Sequence, residues 1–190
     1  LGDGARHLDL LERVVHETEI PVTQFLPTHI NRNSHLFEAA VSFAREGGCV
    51  DFTGNEDIDS WEKITDEVRV CTGIRRLLDA GISENNFTIS SDGQGSLPRF
   101  SPSGQYEGLG IGKASSLLKE VRECVMREHL PLELALRAVT SNPARILKLN
   151  TKGHIAPGYD GDICLLHKDS LLLHTVIAKG RVMVRNSVPE

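Results

Sequence analysis

The sequence lacks the features that define several broad classes of protein. No apolar run approaches the roughly 18 residues that a membrane-spanning helix needs, so no membrane span is expected. Basic residues do not predominate, with 21 lysines and arginines against 26 acidic residues and a formal net charge of -5. Since no basic stripe is present, nucleic acid is not expected as the main partner. The N-terminus carries no signal-peptide pattern and no initiator methionine, which predicts an interior piece of a longer chain.

Cysteine is scarce, and its spacing forms no metal-binding motif. The four cysteines are Cys49, Cys71, Cys124 and Cys164. None are close enough for a C-x-x-C zinc knuckle. A disulfide framework is the alternative, but this spread is more typical of reduced thiols in a cytosolic protein. We therefore predict a cytoplasmic location.

The remaining composition is that of an ordinary globular protein, with 39% hydrophobic and 25% charged residues. Strand-like and helix-like segments alternate over the first 150 residues. Strands are predicted at 22–30, 49–54 and 87–93, and helices at 9–17, 34–48, 68–80, 113–129 and 132–147. The Gly/Ser/Pro-rich stretch at 93–112 is predicted to be a loop. This alternation predicts βαβ units around a parallel sheet, and therefore an α/β fold.

Only about three parallel strands are predicted, whereas a closed (β/α)₈ barrel takes roughly 250 residues. Residues 1–150 can therefore supply the C-terminal portion of a TIM barrel but not a whole one. An open three-stranded sheet is the alternative, although it would leave long edges unpaired. Residues 151–190 change to β-rich runs broken by glycine and aspartate. This change predicts a separate small lobe of antiparallel strands.

Two polar side chains lie at the C-terminal ends of predicted strands, where parallel α/β proteins form their active sites. His29 ends the first predicted strand and Asp92 ends the third. Because the carboxyl ends of parallel strands form one rim, both side chains are expected to face the same mouth. Imidazole and carboxylate are ligands that zinc prefers, so a metal site is one interpretation. The alternative is that Asp92 caps the following turn and His29 is an ordinary hydrogen-bonded histidine.

Two further residues near these strand ends are candidate substrate-binding groups. The planar guanidinium of Arg32 fits a carboxylate in bidentate fashion, although a surface arginine near a helix start is the simpler interpretation. The hydroxyl of Ser96 can donate to a ligand, or it can form a local turn with its own backbone. Gly93 and Gly95 suggest a phosphate-binding loop, but no Gly-Lys-Ser/Thr sequence follows, so that signal is weak.

Four motifs occur in one order across nearly the whole chain and carry a family resemblance. They are LPTHINRN at 26–33, ISSDGQGS at 89–96, AVTSNPARILKL at 138–149, and KGHIAPGYDGDICLL at 152–166 followed by VIAKGRVMV. Together they resemble the amidohydrolase superfamily. The first two motifs are similar to the isoaspartyl dipeptidase (β-aspartyl peptidase) family in particular. Gly161 departs from the family pattern, which usually has alanine between the two aspartates.

The resemblance implies a (β/α)₈ barrel with two zinc ions bridged by a carbamylated lysine and a hydroxide. His29 then matches a histidine ligand, and Asp92 matches the aspartate that binds one metal and shuttles the proton. Arg32 and Ser96 match positions that hold the charged ends of the substrate. The segment LGDG at 1–4 resembles the stretch directly after a further histidine ligand. Neither that histidine nor the bridging lysine is matched in this chain, and residues 151–190 match strands of a small β-sandwich.

The resemblance also sets the functional expectation. It implies metal-dependent hydrolysis of β-aspartyl dipeptides by a metal-bound hydroxide, active only together with a missing N-terminal half. The expected partner is a small dipeptide substrate, and the expected assembly is a homo-oligomer. The alternatives are another amidohydrolase, such as a D-aminoacylase, dihydroorotase or hydantoinase-like enzyme, and a metal-free scaffold of the same fold.

Overall fold

The structure, a computed structural model, describes residues 6–101 and 103–189 of the chain. The helices are α1 Asp9–Glu17, α2 Ser34–Arg45, α3 Ile58–Trp61, α4 Val70–Asp79, α5 Ser116–Met126, α6 Leu132–Arg137 and α7 Ser141–Ile146. The strands are β1 Val50–Thr53, β2 Phe87–Ser90, β3 Ser96–Phe100, β4 Tyr106–Ile111, β5 Ile163–Leu166, β6 Leu173–Ala178, β7 Arg181–Arg185 and β8 Val188–Pro189. None of these described helices is long and apolar enough to cross a membrane. The family resemblance predicted at residues 1–4 lies outside the described residues.

The chain forms two compact units that divide between Val139 and Thr140. In the first unit, β1 and β2 pair in parallel. In the second unit, β5 to β8 form one antiparallel sheet in chain order. The mixed α/β class and the antiparallel strands near the C-terminus are thus confirmed. The assignment of residues 1–150 to a TIM barrel and of 151–190 to a β-sandwich stays a prediction.

The core of the first unit lies around the β1–β2 pair. Val50 and Phe52 of β1 and Phe87 of β2 are fully buried. Helix α4, which connects the two strands, packs on β1 through Gly73, where a methyl group would lie 2.5 Å from the ring of Phe52. Since a side chain has no room there, glycine allows the close approach of helix and strand that a βαβ unit requires.

Helix α2 begins and ends as its local sequence predicts. The side chain of Asn33 accepts a hydrogen bond from the backbone nitrogen of Leu36 at 2.8 Å, which caps the first turn. Gly47 follows the helix with a φ of 93°, a conformation that glycine adopts at little cost. Helix α1 also has the predicted bounds, Asp9–Glu17.

The prediction of a regular strand at 22–30 is wrong. Val22–Gln24 form a short 3-10 helix, and residues 25–29 then run beside β1 without regular pairing. Two backbone hydrogen bonds join them to β1, from Asp51 N to Pro27 O at 2.9 Å and from Ile30 N to Asp51 O at 3.3 Å. Pro27 has no N–H to donate, and His29 has a φ of 61°, so a continuous ladder cannot form.

The predicted loop at 93–112 is also wrong, because it contains the antiparallel hairpin of β3 and β4. Its strands leave large apolar residues exposed, with Leu109 and Ile111 each 66% accessible. The stretch therefore lacks the alternation of buried and exposed residues that predicts a half-buried strand.

The predicted helix at 132–147 is interrupted and forms α6 and α7 instead. Thr140 lies between them with φ -127° and ψ -85°, outside helical geometry. Pro143 has no backbone N–H with which to continue a preceding helix. The helical pattern in the sequence is therefore real, but it belongs to two short helices.

Asp51 of β1 is a buried carboxylate that joins three segments of the chain. It is 5% exposed. Its Oδ2 accepts hydrogen bonds from the hydroxyls of Thr28 and Ser90, and its Oδ1 accepts one from Thr88, each at 2.6 Å. A buried charge is tolerated only when its hydrogen-bonding capacity is satisfied. These three hydroxyls therefore hold the 25–29 segment, β1 and β2 in fixed relation.

Replacing Asp51 with alanine should lower the free energy of unfolding by about 3–5 kcal/mol, because three hydroxyls lose a charged partner at once. Urea unfolding of the full-length protein measures this change. Asp79→Ala removes an exposed carboxylate from α4 and serves as the control, with an expected change under about 0.5 kcal/mol. A loss below about 1 kcal/mol for Asp51→Ala would contradict the proposed role of this carboxylate.

Candidate active site

His29 and Asp92 lie at the same ends of neighbouring chain segments. His29 ends the segment beside β1, and Asp92 follows β2, which pairs in parallel with β1. Both residues have left-handed backbone conformations, with φ of 61° and 45°. Such conformations are uncommon outside glycine and tend to occur at functional sites. The two residues therefore share one edge and an uncommon backbone conformation, which eight other non-glycine residues of the described chain also adopt.

The ring of His29 is oriented by a hydrogen bond to β1. Its Nδ1 lies 2.6 Å from the hydroxyl of Thr53. Thr53 is in turn fixed by the buried side chain of Asn31, which accepts from Thr53 N at 2.9 Å and donates to Thr53 O at 3.1 Å. Because Nδ1 is engaged by Thr53, Nε2 is the nitrogen that can bind a metal ion.

Three charged side chains act on the His29 imidazole. Burial is the largest cause that lowers its pKa, and the positive charge of Arg32 lowers the pKa further. The carboxylates of Asp92 and Asp51 act in the opposite direction and raise it. The ring is therefore favoured in its neutral form, which is the form that binds metals. Of the four predicted site residues, Arg32 and Asp92 thus influence the protonation of a third, His29.

The other two predicted residues differ in their surroundings. Arg32 is exposed and lies just before α2, close enough to His29 and to the half-buried Glu67 to affect the pKa of each. Ser96 is exposed at the start of β3, where it pairs with Ile111 across the hairpin. The charge of Arg32 thus acts on the His29 ring, whereas Ser96 belongs to the β3–β4 hairpin.

Two acidic residues near this edge were missed by sequence reasoning. Glu120 of α5 is 3% exposed and accepts a hydrogen bond from Asn55 N, in the loop after β1, at 3.0 Å. Burial raises the pKa of Glu120 to about 7. Burial likewise raises the pKa of Glu67, whose oxygens accept from Asn31 at 3.4 Å and from Asn55 at 3.5 Å. The signal for Glu120 was present, because it shares the inward face of α5 with Ser116 and Cys124 at a spacing of four.

A cavity of about 630 Å³ adjoins the turn that carries Asp92. Its walls come from the loop after β1, from Trp61 and from the β3–β4 hairpin. Ser91, which precedes Asp92, is part of the wall. Within the described part of the chain, none of the four candidate side chains lines this cavity, so it lies beside the candidate site.

Comparison with known proteins identifies the family. A model of the amidohydrolase family matches residues 62–183, which is more than half of the sequence. The chain belongs to the amidohydrolase family. The resemblance predicted from the four motifs is therefore confirmed.

Solved structures give a finer comparison for this amidohydrolase chain. A β-aspartyl dipeptidase from thermophilic, keratin-degrading Fervidobacterium islandicum AW-1, in complex with a β-Asp-Leu dipeptide, matches with 37% identity and a TM-score of 0.84. A second structure of β-aspartyl dipeptidase from this organism matches with 33% identity and a TM-score of 0.81. Both matches cover 100% of this chain but only 47% and 45% of theirs. The chain thus spans about half the length of these relatives.

A more distant match shows likeness of fold alone. A zinc-bound adenosine deaminase from Xanthomonas campestris has 16% identity and a TM-score of 0.51 to this chain. The match covers 87% of this chain and 38% of the deaminase. The α/β fold of this chain is therefore shared with part of the deaminase.

The residues of this amidohydrolase chain fit part of a zinc site. His29 and Asp92 have suitable donor atoms, and Thr53 orients the imidazole as an outer-shell partner does. Among residues 6–101 and 103–189, however, no three His, Cys, Asp or Glu side chains are grouped closely enough to hold a metal ion. Since zinc takes at least three protein ligands, these two residues fit its chemistry but not its full coordination number.

The grouping of His29, Arg32 and Asp92 predicts how the His29 pKa responds to substitution. In the full-length, metal-free protein, Asp92→Asn should lower the His29 pKa further, because it removes a negative charge that favours the imidazolium. Arg32→Gln should raise the His29 pKa, because it removes a positive charge that disfavours the imidazolium. NMR titration of the histidine rings measures both shifts. Arg45→Gln, which removes an exposed charge at the end of α2, is the control, and equal His29 titration in all variants would contradict the grouping.

The buried Glu120 predicts a pH-dependent cost in stability. Its pKa rises from 4.5 in the unfolded chain to about 7 in the folded chain. Glu120 therefore does not lower the free energy of unfolding below pH 4.5, but it lowers that free energy increasingly as the pH rises through 7. Glu120→Gln keeps an oxygen acceptor for Asn55 N but cannot ionise. The variant should therefore gain about 3 kcal/mol over the wild type at pH 8 and almost nothing near pH 4.5.

Urea unfolding of the full-length protein across this pH range measures the Glu120 effect. Glu107→Gln on β4 supplies the baseline for removal of an exposed carboxylate. A Glu120→Gln effect that is the same at pH 4.5 and pH 8 would show that Glu120 does not titrate between folded and unfolded states as described.

Proposed function

We propose that the full protein containing this chain hydrolyses the isopeptide bond of β-aspartyl (isoaspartyl) dipeptides. The observation that carries this proposal is the 37% identity, across the whole of this chain, to a β-aspartyl dipeptidase in complex with β-Asp-Leu. The proposal is also supported by the charges of Arg32 and Asp92, which act on the His29 imidazole. The dipeptide is the proposed small-molecule substrate.

In this proposal His29 and Asp92 supply two ligands of a zinc pair. When bound, the zinc ions would lower the pKa of water to about 7 and polarise the scissile carbonyl. Thr53 holds the His29 ring through Nδ1, which would leave Nε2 as the ligand atom. The Asp92 carboxylate accepts the proton from the attacking water and then delivers it to the leaving amine nitrogen.

Arg32 and Ser96 orient the dipeptide. The guanidinium of Arg32 pairs with a substrate carboxylate through two parallel hydrogen bonds, for which its exposed position beside His29 is suitable. The hydroxyl of Ser96 forms a hydrogen bond with the other charged end of the substrate. Such positioning places the scissile carbonyl for attack and accounts for part of the rate.

The remaining ligands, including a carbamylated lysine, are proposed to come from a segment of the full protein outside this chain. The relatives are about twice as long as the chain, which leaves room for such a segment. A homo-oligomeric, cytoplasmic enzyme is part of the same proposal.

Asp92→Asn in the full-length protein should lower kcat on β-Asp-Leu by about 10²–10⁴-fold, because asparagine cannot accept the proton. Steady-state kinetics measures this loss, with Asp79→Asn on α4 as the matched control. Near-normal kcat in Asp92→Asn would remove Asp92 from the reaction.

A substrate panel separates the proposed activity from its alternatives. Hydrolysis of β-Asp-Leu with no turnover of N-acyl-D-amino acids, dihydroorotate or hydantoins supports the dipeptidase. Turnover confined to one of the other substrates would assign a different amidohydrolase. A full-length protein that holds no zinc and hydrolyses none of them would be a scaffold.

A further inference from the structure

Asp92 lies in a tight turn that is held by the base of the β3–β4 hairpin. The backbone nitrogen of Gly95 donates to Asp92 O at 2.9 Å and closes the turn. The residue directly after β4, Gly112, then bonds to the turn twice. Its oxygen accepts from Gln94 N at 2.9 Å, and its nitrogen donates to Gly95 O at 2.8 Å. The two ends of the hairpin therefore meet at the turn that carries the Asp92 carboxylate.

Gly112 packs directly on the backbone of Asp92. A methyl group at Gly112 would lie 2.5 Å from Asp92 O and 3.3 Å from the Asp92 carbonyl carbon. These are backbone atoms, so they cannot rotate away as the end of a side chain can. Since non-bonded carbon atoms prefer about 3.5–4.0 Å, an alanine here would displace the turn by on the order of 1 Å.

Gly95 packs on the carboxylate from a second direction. A methyl group at Gly95 would lie 2.7 Å from Asp92 Oδ1, 2.8 Å from Asp92 O and 2.9 Å from Asp92 Cγ. Neither Gly95 nor Gly112 has a positive φ, so alanine would be acceptable at both positions if space allowed. Contact with Asp92, rather than backbone conformation, is therefore what requires glycine at the two positions.

We infer that Gly95 and Gly112 are positioning residues that fix the Asp92 carboxylate relative to His29. The expected effect on kcat rests on the proposed function, because it treats the base of the hairpin as part of the catalytic geometry. The expected position of the Asp92 carboxylate does not depend on that function. A displacement of about 1 Å at a catalytic group is enough to reduce turnover by about 10²-fold.

The test compares Gly112→Ala with Gly110→Ala in the full-length protein. Gly110 lies two residues earlier on β4, and a methyl group there would meet only the Cδ and Cγ atoms of Arg99 within 3.4 Å. That side chain is flexible and can move. Gly112→Ala should lower kcat on β-Asp-Leu by about 10²-fold with KM little changed. It should also weaken zinc binding by about tenfold, whereas Gly110→Ala should remain within twofold of the wild type.

Crystal structures of the two variants give a readout that needs neither activity nor metal. The Asp92 carboxylate should be displaced from its position relative to His29 in Gly112→Ala and unchanged in Gly110→Ala. If kcat, zinc affinity and Asp92 position agree between the two variants, the inference is overturned even when the wild type is an active dipeptidase. If the wild type does not hydrolyse β-Asp-Leu, the proposed function fails, and the structures still decide the inference.

Gly95→Ala keeps the inference testable if Gly112→Ala does not fold. One of the atoms that it meets is the Asp92 carboxylate oxygen, which can turn aside, so the variant is the milder of the two. A kcat loss of at least tenfold with a displaced carboxylate is expected. Values within twofold of Gly110→Ala, with Asp92 in place, would overturn the inference.

Discussion

The buried carboxylate of Asp51 is the constraint on which the rest of the first unit depends. A charge that is 5% exposed needs several hydrogen bonds, and three hydroxyls from two other segments provide them. Thr28 directly precedes His29, and Ser90 comes two residues before Asp92. The interaction that permits this charge in the core therefore also sets the separation of the two candidate metal ligands.

A second layer of contacts turns this frame into a defined site. Thr53 and Asn31 fix the His29 ring, whereas Gly95 and Gly112 confine Asp92. Left-handed backbone at a residue other than glycine costs of order 1–3 kcal/mol and persists only where the surroundings enforce it. Both His29 and Asp92 pay this cost, with φ of 61° and 45°, and both are surrounded by such contacts. The geometry of the edge is thus held by many small interactions, as precise placement of ligands requires.

Local signals in the sequence were enough where a few neighbouring residues decide the structure. The cap at Asn33 and the glycine after α2 are such cases, as is the placing of Asp92 after a buried strand. The irregular 25–29 segment could not be predicted from its own residues. Its pairing depends on the hydrogen bonds that Asp51 of β1 forms with Pro27 and Ile30. The hairpin at 96–111 was not predicted, because its large apolar side chains are exposed. Its strands therefore have no buried face that would produce a regular pattern of apolar and polar residues.

The candidate site shows the same division. His29, Arg32, Asp92 and Ser96 were named from motifs, and the charges of Arg32 and Asp92 act on the pKa of the His29 imidazole. Thr53, Asn31 and the two glycines were not named, since their roles come from contacts between segments distant in sequence. The sequence thus indicates which side chains can act as ligands or bind substrate. The contacts that hold these side chains in place can be identified only in the folded structure.

The most direct measurement is anomalous diffraction at the zinc edge from crystals of the full-length protein. We expect a zinc ion with Nε2 of His29 and a carboxylate oxygen of Asp92 in its coordination sphere, at about 2.0–2.2 Å. A zinc ion bound elsewhere, or one that lacks either residue as a ligand, would contradict it.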